Sequence, residues 1–533
     1  MHPAMTRKAA PGRRTVLGLV VGLAVTLGAC SSTPGPAPQP LPVLSVTSAT
    51  GSTTTPPVAP ADAEFRKKAP APGPEVVFVP PKIEEARLAN GMRVLLVERH
   101  ELPIVGVSVV LNRGAAEARP GVGGFTGAML FSGTKTRSAL QISDEMGKLG
   151  ASYGAWADYD AVGLRLQALT PKLGAALTVL ADAAQNPAFD PAEIKRERSR
   201  RLTALDQEND SPGRILSNTV ARVLYPGAHP YGTSILGTKV ALTNITRADL
   251  QRFHEQVFAP QHATIAFAGD ITKAQAVAEA ERVFGAWKGK PRPATPPAEP
   301  PPPDAKAPRV ILIDRPDATQ SSVAIALPGV PRTSKDFDAI TLMNTILGGQ
   351  FSSRLNLNLR EAHSYTYGAR SGFEFRQGPG PFTASSALFR ESTAAGAREI
   401  LSEIDKMRTG LVTEEELADA KTNVIRQLPA RFETASDTAG TLGALAIYGL
   451  PLDEFATRTA RIQRITREDV KRVAETYLLK DRIRLVVVGD AAKVEQGLKD
   501  LGLGPIEVKR APAKPAKPKI PIAPAAPVEA PGR

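Results

Sequence analysis

Apolar residues recur along the folded part of the chain with two different periods. Stretches with apolar residues at alternate positions, such as Val105–Leu111 and Val323–Leu327, predict β-strands. Longer stretches with apolar residues three or four positions apart, such as Leu173–Gln185 and Thr393–Met407, predict amphipathic helices. Since strands at hairpin-like spacing are mixed with helices, the pattern predicts an α+β unit of two layers, a sheet with helices packed on it.

The predicted unit occurs twice, because three segments of the first half return in the same order in the second half. The offsets are 216, 220 and 220 positions, so the last two segments align without a gap. Three matches in order at nearly one offset indicate an internal duplication. The pairs are Arg93–Arg99 with Arg309–Arg315, Ile245–Leu250 with Ile465–Val470, and Gly269-Asp270 with Gly489-Asp490.

Three low-complexity stretches set the predicted domain boundaries. Residues 31–74 are rich in Ser, Thr, Pro, Ala and Gly and predict a disordered tether. Residues 291–308 hold nine prolines in eighteen positions and predict a semi-extended linker. Residues 511–533 form a Pro/Ala/Lys-rich tail. Two globular domains remain, residues 75–290 and residues 309–510.

The first thirty residues have the pattern of a lipoprotein signal peptide. Basic residues precede an apolar stretch, Thr15–Thr26, which is too short to cross a bilayer as a helix. Leu27–Cys30 resembles a bacterial lipobox, in which Cys30 is lipidated and becomes the mature N-terminus. Cys30 is the only cysteine, so no disulfide can form within the chain. Ser31 at the next position predicts a lipid anchor in the outer membrane, with the protein facing the periplasm.

The charge of the chain adds little to this picture. The formal net charge is +13, but aromatic residues make up only 5 % of the sequence and are not interleaved with basic ones. A nucleic-acid-binding element would combine the two, so no nucleic acid is expected as a partner. Part of the excess lies in the tail, and a solvated basic surface near anionic lipid is the favoured interpretation.

Gly121–Thr134, GVGGFTGAMLFSGT, predicts a short apolar helix. It resembles the signature helix of the insulinase/pitrilysin-type zinc peptidases, the inverzincins, which carries H-x-x-E-H. Two His four positions apart can hold zinc on one helix face, and the Glu can deprotonate zinc-bound water. In this chain the three positions are Gly124, Gly127 and Ala128, and the family's third ligand, a later Glu, falls on Ala204. None of these four residues can bind a metal.

No other group in the sequence replaces this chemistry. A zinc peptidase needs three protein ligands and an open water position. His254-Glu255 begins like H-E-x-x-H, but Phe258 stands at the position of the second His. Glu197 matches a second family glutamate that is not a ligand, so we expect it to be a solvated or salt-bridged residue of its helix. Gly154 stands where active members usually place an Asn. We therefore expect no metal and no cofactor on this chain, and no proteolysis by it alone.

The second half keeps the motif that the first half has lost. Leu347–Gly368, LGGQFSSRLNLNLREAHSYTYG, resembles the family's C-terminal-domain motif, which ends in an Arg and a Tyr, here Arg360 and Tyr367. In the family this pair holds the substrate backbone and stabilises the oxyanion, a role that suits guanidinium and phenol donors. A salt-bridged helix arginine and a strand tyrosine without such a role remain the alternative. Arg354 and Tyr365 are expected to hold structure.

The resemblance implies two homologous domains that close like a clamshell around a peptide. Loss of the zinc motif with retention of the Arg/Tyr pair is typical of the non-catalytic subunit in two-chain members such as the mitochondrial processing peptidase. The leading hypothesis is therefore a partner subunit that carries zinc, with unfolded or short peptides as substrate, bound as an added strand. A stand-alone peptide-binding or scaffold lipoprotein is the alternative. A zinc peptidase with a displaced site is a third possibility.

Overall fold

The computed structural model describes residues 78–289, 299–302, 304 and 306–510. The predicted signal peptide with Cys30, the tether at 31–74, most of the linker at 291–308 and the tail at 511–533 lie outside these residues. In the described part of the chain no helix is both long and apolar enough to span a bilayer.

The strands form two six-stranded mixed sheets. In the first sheet the order is β1-β2-β6-β3-β5-β4, and only β2 and β6 run parallel. Its strands are β1 (Glu84–Arg87), β2 (Arg93–Glu98), β3 (Ile104–Leu111), β4 (Ser152–Ala157), β5 (Val162–Leu169) and β6 (Ala263–Gly269). In the second sheet the order is β12-β7-β11-β8-β10-β9, and β7 runs parallel to both its neighbours. Its strands are β7 (Val310–Asp314), β8 (Gln320–Pro328), β9 (Thr366–Phe373), β10 (Pro381–Phe389), β11 (Arg484–Gly489) and β12 (Ile506–Arg510).

Five strands of each sheet follow the same spatial order, which confirms the predicted pair of homologous α+β domains. The order β2-β6-β3-β5-β4 corresponds to β7-β11-β8-β10-β9. The sixth strands differ, because β1 precedes β2 and pairs antiparallel with it, whereas β12 ends the second domain and pairs parallel with β7. The duplication therefore covers five strands of each sheet, and each domain adds one edge strand of its own.

Helices pack against both sheets. In the first domain they are α1 (Val122–Met129), α2 (Ala139–Lys148), α3 (Leu173–Gln185), α4 (Pro191–Asp210), α5 (Pro212–Leu224), α6 (Lys239–Asn244), α7 (Arg247–Val257) and α8 (Lys273–Phe284). In the second they are α9 (Phe337–Asn344), α10 (Arg354–Asn356), α11 (Thr393–Thr409), α12 (Glu414–Arg426), α13 (Ala435–Tyr448), α14 (Glu454–Arg464), α15 (Arg467–Tyr477) and α16 (Ala491–Lys499).

The duplication extends to the helix caps. α7 and α15, which lie in the repeated ITRADL and ITREDV segments, both begin with a capping box. The side chains of Thr246 and Thr466 each accept a hydrogen bond from the backbone N–H three residues on. The carboxylates of Asp249 and Asp469 in turn accept one from the backbone N–H of these threonines. Reciprocal bonds of this kind satisfy two backbone donors that would otherwise be unpaired.

The two domains exchange one helix each across their interface. α13 of the second domain packs on β3 and β6 of the first sheet, and α5 of the first domain packs on β8 and β11 of the second sheet. The approach is close: a Cβ at Gly106 on β3 would lie 2.6 Å from the carbonyl carbon of Ala435. β3 is therefore buried on both faces, which its alternating pattern alone did not predict.

Candidate functional site

The helix predicted to replace the zinc helix is α1. Gly121 begins it with a φ of +87°, a left-handed conformation that favours glycine. Gly124 and Ala128 lie four residues apart, hence on one helix face, and both line a cavity of about 460 Å³. This cavity lies between the two domains, because residues of the second domain form part of its wall.

α1 is packed too closely to carry side chains at two positions of the motif, the first ligand and the general base. A Cβ added at Gly124 would lie 2.7 Å from both the Cγ2 atom and the carbonyl oxygen of Ile235. A Cβ added at Gly127 would lie 2.9 Å from the Cβ of Ala157. Interiors packed at this density do not admit additional atoms without a shift of the backbone. The glycines thus bring α1 against its neighbours as well as lacking ligand atoms.

Arg201 on α4 stands beside the first of these positions. The residue is only 6 % exposed. Its Nε donates a hydrogen bond of 2.7 Å to Glu197, and its Nη2 donates one of 2.5 Å to the carbonyl oxygen of Gly124. Its Nη1 would lie 3.4 Å from a Cβ at Gly124. Sequence reasoning missed this residue, although its position four after Glu197 was a usable signal. Ala204, at the position of the family's third ligand, lies on α4 less than one helical turn after Arg201 and is half-buried.

Arginine and aromatic side chains from both domains line another part of the cavity. Arg376 of the second domain places its guanidinium 4.2 Å from the ring centre of Tyr159 and 4.6 Å from that of Tyr231. Arg376 also pairs with the exposed Glu374. Trp156, Tyr225 and Arg214 complete this part of the wall.

A loop of the second domain docks into the first domain beside the cavity. We call residues 374–380, between β9 and β10, the latch loop. The backbone N–H of Gln377 donates to Asp160 at 2.9 Å, and that of Gly378 donates to the Tyr231 hydroxyl at 3.1 Å. The same hydroxyl donates to Asp160 at 3.0 Å. Burial raises the pKa of both Asp160 and Tyr231. Tyr231 therefore joins the two domains through its hydroxyl.

Tyr225 adds a second hydroxyl to this contact. Its Oη donates to the carbonyl oxygen of Pro379 at 2.9 Å, and both groups are buried. Gln377 extends the contact through its side-chain amide, which donates to the carbonyl oxygens of Asn112 and Ile447 at 3.1 Å each. The latch loop is thus held by polar contacts to several elements around the cavity.

A second cavity of about 700 Å³ adjoins the first and shares Arg214, Ser217 and Thr383 with it. It lies between α5 and the strands β8, β9 and β10 of the second sheet. Its wall includes Gly368 and Ala369, which directly follow Tyr367 on β9. Two neighbouring cavities therefore extend along the interface between the domains.

Arg360 and Tyr367 lie on the surface of the second domain. Arg360 belongs to a π-helical segment, Leu357–Ala362, and its Nε is 3.4 Å from the Glu361 carboxylate. Its guanidinium lies over the Phe351 ring at 4.7 Å. Tyr367 is 80 % exposed. Among the described residues, the contacts found for these two side chains are all to the second domain.

Neighbouring residues of the same motif have structural roles. Arg354 makes two hydrogen bonds to Glu416, at 2.6 and 2.7 Å, and so ties α10 to α12. Tyr365 is half-buried against the core of the second domain, and the exposed His363 stacks on its ring. The motif therefore divides into residues that hold the segment in place and two that are presented to solvent.

Histidines of the first domain are engaged in structure. His254 donates from Nε2 to the carbonyl oxygen of Ala184 at 2.8 Å, and burial lowers its pKa to about 4. His262 lies 3.3 Å from the carbonyl oxygen of Val257, and burial also lowers its pKa. Within the described ranges no three His, Cys, Asp or Glu side chains are grouped in a way that could hold a metal ion.

Two family models match the chain. Residues 93–239 match the model described as insulinase, peptidase family M16, and residues 244–424 match the model described as the peptidase M16 inactive domain. The chain belongs to the insulinase-type peptidase family. A relative named as a zinc protease from Mycobacterium bovis is 26 % identical over 405 residues, which cover 75 % of this chain and 92 % of the relative.

Solved structures share this fold. The M16 inactive domain from Pseudomonas fluorescens is 29 % identical, with a TM-score of 0.72, over 76 % of this chain and 98 % of that one. A protease from Helicobacter pylori is 21 % identical, with a TM-score of 0.69, over 76 % of this chain and 99 % of that one.

The zinc that this family implies does not fit the residues present here. Neither glycine nor alanine offers a ligand atom at positions 124, 127, 128 and 204. Burial lowers the pKa of Arg201 while Glu197 opposes the shift, but a guanidinium stays charged in proteins and has no lone pair to donate to a metal. Arg201 therefore places a positive charge beside the first ligand position, where it would repel Zn²⁺.

Proposed function

We propose that this chain is the non-catalytic subunit of a two-chain insulinase-type zinc peptidase. The supporting observation is the contrast between the two domains. In the first, Arg201 and closely packed glycines stand where the family places its metal. In the second, Tyr367 is exposed and Arg360 is partly exposed, and Arg354 beside them is bound in a salt bridge. The zinc would be carried by a homologous partner subunit, and this chain would contribute substrate contacts.

The chemistry of the exposed pair suits this role. The Arg360 guanidinium offers several N–H donors in a rigid plane, and the Tyr367 hydroxyl offers another donor. Both could bind a peptide carbonyl or the oxyanion that forms on it. Phe351 and Leu357, which flank Arg360, are exposed apolar side chains that favour contact with a peptide or a partner surface. Unfolded or short peptides are the proposed substrates, bound as an added strand.

The proposal includes attachment to the bacterial envelope. Its support is the sequence before residue 75, where an apolar segment ends at Cys30 within a lipobox-like tetrapeptide. A lipid at Cys30, with Ser31 following, would hold the subunit at the outer membrane on the periplasmic side. A partner subunit anchored to the same membrane surface would be confined to the same layer, which raises the effective concentration of each subunit.

The test is peptidase activity on a quenched unstructured peptide. The full chain in detergent is assayed alone, and then with a zinc-bearing homologue from the same organism. Cleavage that requires both chains supports the proposal. If the mixture does not cleave the peptide, the two-chain proposal is contradicted, and the alternative of a stand-alone peptide-binding protein is favoured. Cleavage by this chain alone, with one bound zinc per chain, would show that zinc binds in a way that the first domain does not suggest.

A point variant assigns the role of Arg360 within that assay. Arg360→Ala should lower turnover by the pair about 100-fold, the usual cost of removing one oxyanion donor, without changing assembly of the two chains. Arg390→Ala is the matched control, because Arg390 is similarly exposed and also pairs with the glutamate that follows it. Equal turnover in both variants would remove Arg360 from the mechanism.

A further inference from the structure

The cavity beside α1 contains buried donors that the fold leaves unused. Arg201 and Arg376 line it from the two domains, and the Nη1 atoms of both are buried. Neither Nη1 atom has a hydrogen-bond partner within the described part of the protein. A buried donor without a partner costs about 1–3 kcal/mol, and more on a charged group. Native structures rarely keep such donors unless a ligand or water satisfies them.

Both guanidinium groups are already anchored through other nitrogens, and the Nη1 atoms remain for a ligand. Arg201 uses Nε on Glu197 and Nη2 on the carbonyl oxygen of Gly124. Arg376 uses Nη2 on Glu374. These contacts hold both guanidinium planes in place before a ligand arrives, which lowers the entropy lost on binding.

A carboxylate is the ligand group that this arrangement fits. It accepts hydrogen bonds without donating any, and its charge strengthens each bond that a guanidinium gives it. The cavity volume of about 460 Å³ lies within the range of small-ligand sites and exceeds what a carboxylate alone would fill. The wall also includes Trp156, Tyr159 and Tyr225, whose rings offer apolar surface for the side chain beside the carboxylate.

A peptide can reach the cavity along β4. This strand lies at the end of the first sheet, bonded to β5 on one side, and its other edge is unpaired among the described strands. Ala155, Trp156 and Ala157 of β4 also line the cavity. A peptide added to the free edge of β4 would therefore run into the cavity wall, and its terminal or side-chain carboxylate would come within range of the arginines.

We infer that the position vacated by the family's metal is a carboxylate-binding site, in which Arg201 and Arg376 bind a peptide C-terminus or an acidic side chain. The inference rests on the proposal that peptide enters the chamber, but it does not depend on a partner subunit. The site would select peptides by a negative charge at one end, so the chain would contribute specificity as well as backbone contacts.

The test compares fluorescein-labelled neutral ten-residue peptides that differ only at the C-terminus, with binding to the full chain in detergent measured by anisotropy. The free acid should bind at least tenfold more tightly than the amide, as expected for charge-assisted bonds to a buried group. A third peptide carries the amide and a Glu at its last position. Tight binding of this third peptide assigns the site to acidic side chains as well, and weak binding restricts it to the C-terminal carboxylate.

Variants locate the site. Arg201→Gln should remove the preference for the acid over the amide. Arg200→Gln should retain it, because Arg200 pairs with the same Glu197 on the same helix but is 70 % exposed. Since Arg201→Gln can weaken folding, Arg376→Gln is a second variant from the other domain and should reduce the preference. Melting temperatures of all variants are measured in parallel.

Two outcomes would overturn the inference. One is equal binding of the acid, amide and Glu-containing peptides, or no binding of any, to the wild-type chain. The other is a preference that survives in correctly folded Arg201→Gln and Arg376→Gln chains. Neither outcome depends on turnover, so failure of the two-chain proposal and failure of this site are seen in different experiments.

Discussion

Returning the family's metal-binding residues to their positions should not return the metal. The perturbation is the fourfold substitution Gly124→His, Gly127→Glu, Ala128→His and Ala204→Glu. It restores all three ligands and the general base. If the missing side chains were the only obstacle to zinc, the variant would bind zinc. The structure predicts otherwise, because the atoms around Gly124 and Gly127 leave no room for side chains and Arg201 lies beside Gly124.

Two effects determine how much zinc-binding free energy the fourfold variant would lose. At Gly124 and Gly127 the first added carbon already lies 2.7 and 2.9 Å from a neighbour, and overpacking of this kind costs about 1–3 kcal/mol per site. The charge of Arg201 adds more. A zinc ion that came within about 4 Å of the guanidinium would be repelled by about 8 kcal/mol at an effective dielectric constant of about 20. Structural zinc sites are worth about 10–16 kcal/mol, so most of the affinity would be lost.

The assay is zinc content after dialysis, with circular dichroism as a check on folding. The fourfold variant should retain no zinc, and addition of Arg201→Ala should raise zinc affinity by several orders of magnitude. Stoichiometric zinc in a folded fourfold variant would refute the reasoning. Equal zinc affinity with and without Arg201→Ala would show that the charge of Arg201 is not the obstacle.

Two further predictions concern the latch loop and pH. Tyr231→Phe removes a hydroxyl that serves both Asp160 and the Gly378 N–H. It should lower the free energy of unfolding by about 2 kcal/mol or more, since it leaves two buried groups unpaired; urea unfolding beside wild type measures this, and an unchanged midpoint would contradict it. The pKa of His254 falls from 6.5 to about 4 on folding. The contribution of His254 to the free energy of unfolding is therefore fully present above pH 6.5. About 3 kcal/mol of it is lost as the pH falls towards 4. Urea unfolding at pH 7 and pH 4.5 should show a smaller pH dependence for His254→Gln than for wild type; an equal dependence would contradict it.

The fold could be predicted because its signals are local or repeated. The segment pairs at Arg93 and Arg309 lie at β2 and β7, and the pairs at Ile245 and Ile465 lead into α7 and α15. Capping residues and apolar periods act over a few residues, so they can be recognised in the sequence without the tertiary structure. Because of the duplication, both halves of the sequence predict the same α+β unit, and this agreement is a stronger signal than either half alone.

The chemistry of the cavity depends on contacts that are distant in sequence. Arg201 contacts Gly124 across 77 positions, and Gln377 contacts Asp160 across 217. The sequence shows that Gly124 lacks a ligand atom, but it does not show that a guanidinium lies beside it. The exchange of α5 and α13 is equally invisible, because an amphipathic helix does not specify which of two similar sheets it covers.

The interface between the domains restricts what can enter the chamber. α5 and α13 bury apolar side chains on the opposite sheets, among them Ile215, Val220 and Leu442. Wide separation of the domains would expose these side chains to water, at a free-energy cost of about 25 cal/mol for each Å² of apolar surface. The latch loop is held mainly by hydrogen bonds, each worth about 0.5–1.5 kcal/mol net, so it opens at lower cost than the exchanged helices separate. We therefore expect entry beside the latch loop. Cavities of about 460 and 700 Å³ admit a few residues of extended chain and exclude a folded domain.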